Sequence, residues 1–147
     1  MKKIIFAALG GLLLWSVIGH AMVPAIPMKG GGPGLILTLN AGQNGVEITT
    51  SGSGQATHLG EYTRTEQLTL DPSTGTFTGS IVFTSADGSE LYCDLTGGFT
   101  GLNTASGTYY FTGGTGRFAE ASGEADFNIV QSDPLNFNVI FEGAVRF

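Results

Sequence analysis

From Leu35 onward, apolar and polar side chains alternate with a period of two. That spacing puts one kind of side chain on each face of a β-strand. Phe77, Gly79, Ile81 and Phe83 share one face, and Thr76, Thr78, Ser80 and Thr84 share the other. Leu91, Cys93 and Leu95 alternate with Glu90, Tyr92, Asp94 and Thr96. Ala125, Phe127 and Ile129 alternate with Glu124, Asp126 and Asn128. A last run places Leu135, Phe137, Val139, Phe141, Gly143, Val145 and Phe147 on one side, against Asn136, Asn138, Glu142 and Arg146. The pattern predicts eight strands, near 35–40, 45–51, 56–70, 76–86, 89–96, 107–112, 123–131 and 135–147. Helical periodicity nowhere lasts beyond a turn or two after residue 34.

The breaks between runs carry turn chemistry. Asn44-Gly45 and Asp87-Gly88 read as type I′ hairpin turns, in which both central residues take positive φ. Asp71-Pro72-Ser73-Thr74-Gly75 reads as a type I turn closed by a positive-φ glycine, and Asp133-Pro134 marks the final hairpin. Consecutive strands joined by tight turns predict an all-β, antiparallel, up-and-down sheet. Closing it into an eight-stranded barrel removes both adhesive edges.

Alternation does not say which face is the inside. A soluble barrel turns the phenylalanines inward; an outer-membrane barrel turns them toward lipid. The alternate Val139, Phe141, Val145 and Phe147 fit a membrane strand. Against that, the segments 35–40 and 108–112 are short for a span of about 9–11 residues. The polar face is also mostly threonine, serine and asparagine, without the charge network expected of a narrow lumen. The soluble orientation is therefore the expected one.

The ends of the chain change the picture in one respect. Met1-Lys2-Lys3 is followed by an uncharged apolar run to Gly19, and Gly19-His20-Ala21 places small residues where a signal peptidase cuts. Residues 1–21 read as a cleaved signal peptide, 22–34 as a Gly/Pro-rich linker, and 35–147 as the barrel domain. The expected location is secreted or periplasmic. After removal of the leader, four basic residues face twelve acidic ones, a formal charge of −8. No basic patch forms, which excludes nucleic acid and anionic membrane surfaces as electrostatic partners. Cys93 is the single cysteine. It sits on an apolar strand face, where a free thiol behaves as a small hydrophobe.

Residues 107–123 invite a nucleotide-site reading, since Gly114 to Ala119 matches G-x-G-x-x-A. A dinucleotide loop must lead from a parallel strand into a full helix. Only about one turn fits before Gly123, and a phosphate loop would need Lys where Arg117 stands. The reading that remains is structural. Gly113, Gly114 and Gly116 supply positive φ at a barrel corner, Arg117 follows, and Phe118 plugs the end of the core.

Gly113 to Gly123 resembles the G-G-[ST]-G-x-F-x-x-x-x-G turn of plant allene oxide cyclases and dirigent proteins. It is more similar still to exported bacterial proteins grouped with the allene oxide cyclase barrel. Thr57-His58-Leu59-Gly60, Leu70 to Thr76, Ala86-Asp87-Gly88 and Phe141-Glu142-Gly143 extend the resemblance over residues 55–147. It implies an antiparallel eight-stranded barrel in the soluble orientation. These families act largely by positioning a ligand, and none of their catalytic residues matches a position here.

Two candidates for chemistry remain. His58 is the only histidine after the leader. With no partner in the pattern for metal or nucleophile chemistry, it reads as a rim residue bonded to backbone. The strand at 56–70 breaks the apolar pattern. Leu68 and Leu70 set its inward face, so counting back by twos turns Glu66, Arg64 and Tyr62 inward as well. A buried Arg–Glu pair is costly unless hydrogen-bonded, and such pairs often mark sites. A β-bulge between Tyr62 and Leu68 would reverse the parity and put both charges in water. The expected inner face also carries Phe77, Phe83, Tyr109, Phe111, Phe127, Phe137 and Phe141, which fill most of the interior. The expectation is an exported barrel, non-catalytic, that binds a small apolar ligand through Tyr62, Arg64 and Glu66 or serves as a structural module. The alternatives are an isomerase or cyclase acting in the cavity and an outer-membrane barrel. Neither a cofactor nor a metal is expected, and homo-oligomerisation is left open.

Overall fold

A computed structural model describes residues 22–147; the expected leader lies outside them. The strands are β1 (Ile26–Gly42), β2 (Gly45–Ala56), β3 (Gly60–Asp71), β4 (Thr76–Ser85), β5 (Glu90–Phe99), β6 (Thr104–Gly114), β7 (Ser122–Gln131) and β8 (Asn136–Arg146). Each pairs antiparallel with its neighbour in sequence, and β8 returns to pair with β1. The all-β, up-and-down, closed barrel expected from the alternation is the fold.

The phenylalanine face is the inside. Phe77, Phe83, Tyr109, Phe111, Phe127, Phe137 and Phe141 are all buried. Their rings pack on one another: Tyr109 stacks on Phe127 at 4.5 Å between centroids, and Phe83 meets Tyr62 edge-on at 5.2 Å. Edge-to-face and offset pairs of this kind add about 0.5–1.5 kcal/mol each beyond the area they bury. Cys93 lies in this core. Burial, reinforced by the charges of Asp94 and then Glu66, raises its thiol well above the ordinary value.

The main departure from expectation is at the start of the barrel. The stretch 22–34, read as a linker, is strand from Ile26, and β1 runs far ahead of the expected 35–40 segment. Gly30 to Gly34 pairs on one side with β8, from Phe141 to Phe137. On the other side Gly30, Gly31 and Gly34 pair with Ala56, Gln55 and Gly52 of β2. Pro33 is exposed within it, and its missing N–H interrupts rather than ends the ladder. A glycine run scores against a strand on propensity alone. Here the side chains of Ala56, Phe141, Phe137 and Arg64 occupy the space beside Gly30 and Gly34, and the backbone of β8 and β2 lies against Gly31 and Gly32.

Register is regular except at two places. One extra residue sits between Ile36 and Thr38 of β1, and another at Thr112 of β6, opposite Tyr92 and Cys93. Strand β3 has no bulge: it pairs without a break from Val46 to Ala56 of β2 and from Thr76 to Ser85 of β4. The hairpins at Asn44-Gly45 and Asp87-Gly88 are not type I′, because only their glycines have positive φ. Leu135, expected inside, lies on the β7–β8 turn and is half exposed.

The two ends of the barrel differ. One carries the β2–β3, β4–β5 and β6–β7 connections, including a single 3₁₀ turn at Gly116–Phe118. Gly113 and Gly116 take positive φ there. Gly114 does not; a Cβ on it would run into the backbone of Glu90 on β5. Phe118 turns in and is buried, as the plug reading requires, beside buried Leu59 and Ala121. Arg117 ties the three connections together. Its Nε donates to Asp87 Oδ2 at 2.7 Å and its Nη1 to the carbonyl of His58 at 2.6 Å. The opposite end, formed by the other turns, has no such plug.

Candidate functional site

The unbroken register of β3 decides the parity of its charged residues. Tyr62, Arg64 and Glu66 all face the interior, and all are buried. They occupy successive rungs of the wall. Tyr62 lies opposite Gly54 of β2, Arg64 opposite Gly52, and Glu66 opposite Thr50.

Glycines make room for the arginine. A Cβ on Gly52 would sit 2.6 Å from Arg64 Nε, and one on Gly34 would sit 2.7 Å from Arg64 Nη2. The guanidinium therefore lies in the space that β1 and β2 leave empty, with its centre 5.3 Å from the middle of the Phe137 ring. Its Nη1 is 3.1 Å from Glu66 Oε1, a charge contact inside the core. The N–H vectors do not align with that oxygen: Nε, Nη1 and Nη2 of Arg64 all lack a hydrogen-bond partner. The Tyr62 hydroxyl lacks one too. Burial raises the Tyr62 pKa, with Arg64 opposing the rise and Glu66 adding to it. The other carboxylate oxygen of Glu66 accepts from Thr50 Oγ1 at 2.9 Å.

Above Glu66, toward the unplugged end, the interior is not filled. A cavity of about 230 Å³ is walled by Leu68, Leu70, Phe77, Ala105, Ile129 and Phe137, with Thr50 and Glu66 at its floor. Leu39 and Phe99 stand at its mouth. An empty, apolar cavity of about 150 Å³ holds a molecule the size of benzene. This one therefore has space for a substituted ring or a short acyl chain. Glu66 is the one ionisable residue on its wall.

Of the three residues singled out from the sequence, then, all reach one inward strip, but only Glu66 meets the cavity. Arg64 lies a rung deeper, and Tyr62 deeper again, where it packs on Phe83 and Phe141. Thr50, Ala105 and Phe99 were missed. Val46 and Ile48 set the inward parity of Thr50, which a hydroxyl in a polar run masks, and Phe99 was expected to lie beyond its strand. His58 takes positive φ and lies at the plugged end, its Nε2 2.9 Å from the Pro27 carbonyl and its ring against Phe147. That is the rim position expected of it. Among the described residues, no group of His, Cys, Asp and Glu is arranged to hold a metal ion.

The sequence matches no protein-family model and no curated protein. Among solved structures, the barrel is similar to a pterocarpan synthase dirigent protein, with a TM-score of 0.56 at 12% identity over 95% of this chain and 98% of that one. At that identity the likeness concerns the fold. The chain has the eight-stranded barrel of the dirigent type, as the turn at Gly113–Gly123 and its companion motifs implied.

Proposed function

We propose that this protein is an exported, non-catalytic barrel that binds one small, largely apolar molecule in the cavity at its unplugged end. The cavity carries the reading: a mainly apolar space with one carboxylate, Glu66, and the Thr50 hydroxyl on its floor. Sites for small molecules are commonly of this kind, apolar walls with a few placed polar groups. Glu66 has lone pairs left after Thr50 and Arg64, so it would orient a hydroxyl or amine on the ligand. Export is supported by the charge and hydrophobicity pattern of residues 1–21. The soluble orientation is supported by the outer wall, where Thr76, Thr78 and Ser80 of β4 and Glu124, Asp126 and Asn128 of β7 face away from the core.

Native mass spectrometry of the exported protein, released into the gas phase with its co-purified lipophiles, tests the reading. A bound small molecule is expected, and Ala105→Leu, which fills the cavity, should remove it while leaving the circular dichroism spectrum unchanged. Protein that remains empty after exposure to a broad lipophile extract would defeat the idea.

The position of Glu66 favours a second reading, in which its carboxylate acts as a general base on a bound substrate in a cyclisation or isomerisation. That reading requires turnover that vanishes in Glu66→Gln while ligand binding persists.

A further inference from the structure

The mouth of the cavity is ringed by apolar side chains that face water. Leu37 and Leu39 come from the end of β1, Phe99 and Leu102 from the β5–β6 connection, and Val130 and Leu135 from the ends of the β7–β8 hairpin. These six are half of the twelve large apolar side chains exposed among the described residues, and all lie at one end. Leu102, at the tip of its loop, is 95% exposed. The plugged end buries Leu59, Phe118 and Ala121, and its exposed large apolar side chains are Met22 and Val23, which lead into β1. Leu39 and Phe99, 55% and 51% exposed, belong to both the ring and the cavity wall, where Asn103, Thr104 and Gln131 are interspersed with the apolar residues.

Basic side chains are distributed with the same asymmetry, while carboxylates occur at both ends. The turns at the mouth carry Glu47, Asp71 and Asp133 and no basic residue. Asp71 accepts from the Ser73 amide and hydroxyl, and Asp133 from the Leu135 and Asn136 amides; these bonds lower both pKa values, so both carboxylates are ionised at neutral pH. Lys29, Arg117 and Arg146 are all at the other end.

We propose that this ring docks the barrel, mouth first, on a lipid surface of zwitterionic headgroups. Exposed apolar clusters of this kind mark membrane or protein contacts. The ring is built of projections on three separate connections around an opening, not of one flat patch. A fluid interface can wrap each projection without matching its shape. The carboxylates and the absence of Lys and Arg repel anionic lipid and suit the outward-facing ammonium of choline or ethanolamine. Docked in this way, the cavity opens directly into the acyl region, and an apolar ligand passes between membrane and barrel without crossing water. The docking does not depend on the ligand reading and is measured without any ligand.

The test uses residues 22–147, which hold all eight strands of the closed barrel, and sedimentation with phosphatidylcholine vesicles. The unsubstituted protein should co-sediment, and less so when half of the lipid is phosphatidylglycerol. Leu102→Asp should weaken partition at least about tenfold, the loss expected when one buried apolar side chain is withdrawn. Ile140→Asp, on the side wall, should leave it unchanged. Leu102→Trp, the sole tryptophan of that chain, should bind and shift its emission to the blue. Ala105→Leu should still bind vesicles, which separates docking from cavity filling. The proposal is overturned if the unsubstituted protein stays in the supernatant, if Ile140→Asp is as harmful as Leu102→Asp, if anionic lipid strengthens binding, or if the ring drives self-association in place of vesicle uptake.

Discussion

At the scale of single residues, Arg64 is the most consequential side chain in the barrel. Its charge is wholly inside, its counter-charge is one carboxylate, and its hydrogen-bonding capacity is unspent. Removing one partner of a buried ion pair strands the other, at a cost of about 3–5 kcal/mol, whereas replacing both with neutral groups of similar volume is often neutral or stabilising. Arg64→Ala should therefore lower the unfolding free energy in urea by roughly that amount. The double variant Arg64→Met, Glu66→Gln should equal or exceed the parent protein. If the double variant is as unstable as the single one, the guanidinium has a structural role that the ion pair does not explain.

At the scale of elements, β1 and β3 show what a sequence can and cannot disclose. The inward turn of Tyr62, Arg64 and Glu66 was legible because Leu68 and Leu70 anchor the parity of β3 and no bulge intervenes. Strand β1 was illegible over 26–34 because its information lies in other strands. Glycine reads as flexible until Phe137, Phe141 and Arg64 are known to fill the space beside it. The same cause hid the cavity, whose floor is shared between β2 and β3 and whose mouth depends on how far β5 extends. If the glycines are spacers, enlarging one should be harmful despite the gain in strand propensity. Gly52→Ala places a Cβ 2.6 Å from both Arg64 Nε and the Pro33 carbonyl, so the backbone itself must yield. Overpacking of this kind costs about 1–3 kcal/mol. A denaturation midpoint equal to that of the parent would show that β1 and β2 are slack at this point.

At the scale of the whole molecule, the plugged end rests on electrostatics as well as on Phe118. The bonds from Ser85, from the Ser89 amide and from Arg117 hold the Asp87 carboxyl well below the usual carboxylate range. A carboxyl whose folded pKa is depressed stabilises the fold fully above its unfolded value, about 3.9, and loses that contribution as pH falls toward the folded one. Asp71 and Asp133, at the mouth, shift in the same direction. Stability should be level above pH about 4.5 and decline below about 4. Asp87→Asn should lower the plateau and flatten the acid limb. Urea midpoints collected across pH would expose a contrary result, an acid limb of unchanged slope. The topology and the inward face were legible from alternation and turns. The difference between the two ends was not, because it depends on which loops meet in space.

The ladder between β1 and β8 has a consequence for how the molecule comes into being. It joins residues more than a hundred positions apart, from Leu35 with Asn136 to Ile26 with Val145. Every other ladder links strands adjacent in sequence, so the barrel closes with its most distant contact, the kind that loop-closure entropy makes slow. Until β8 has paired with β1, the chain presents two open edges and no finished interior. Removing residues 136–147 should therefore yield strand-paired aggregates, visible by light scattering, rather than a smaller soluble barrel.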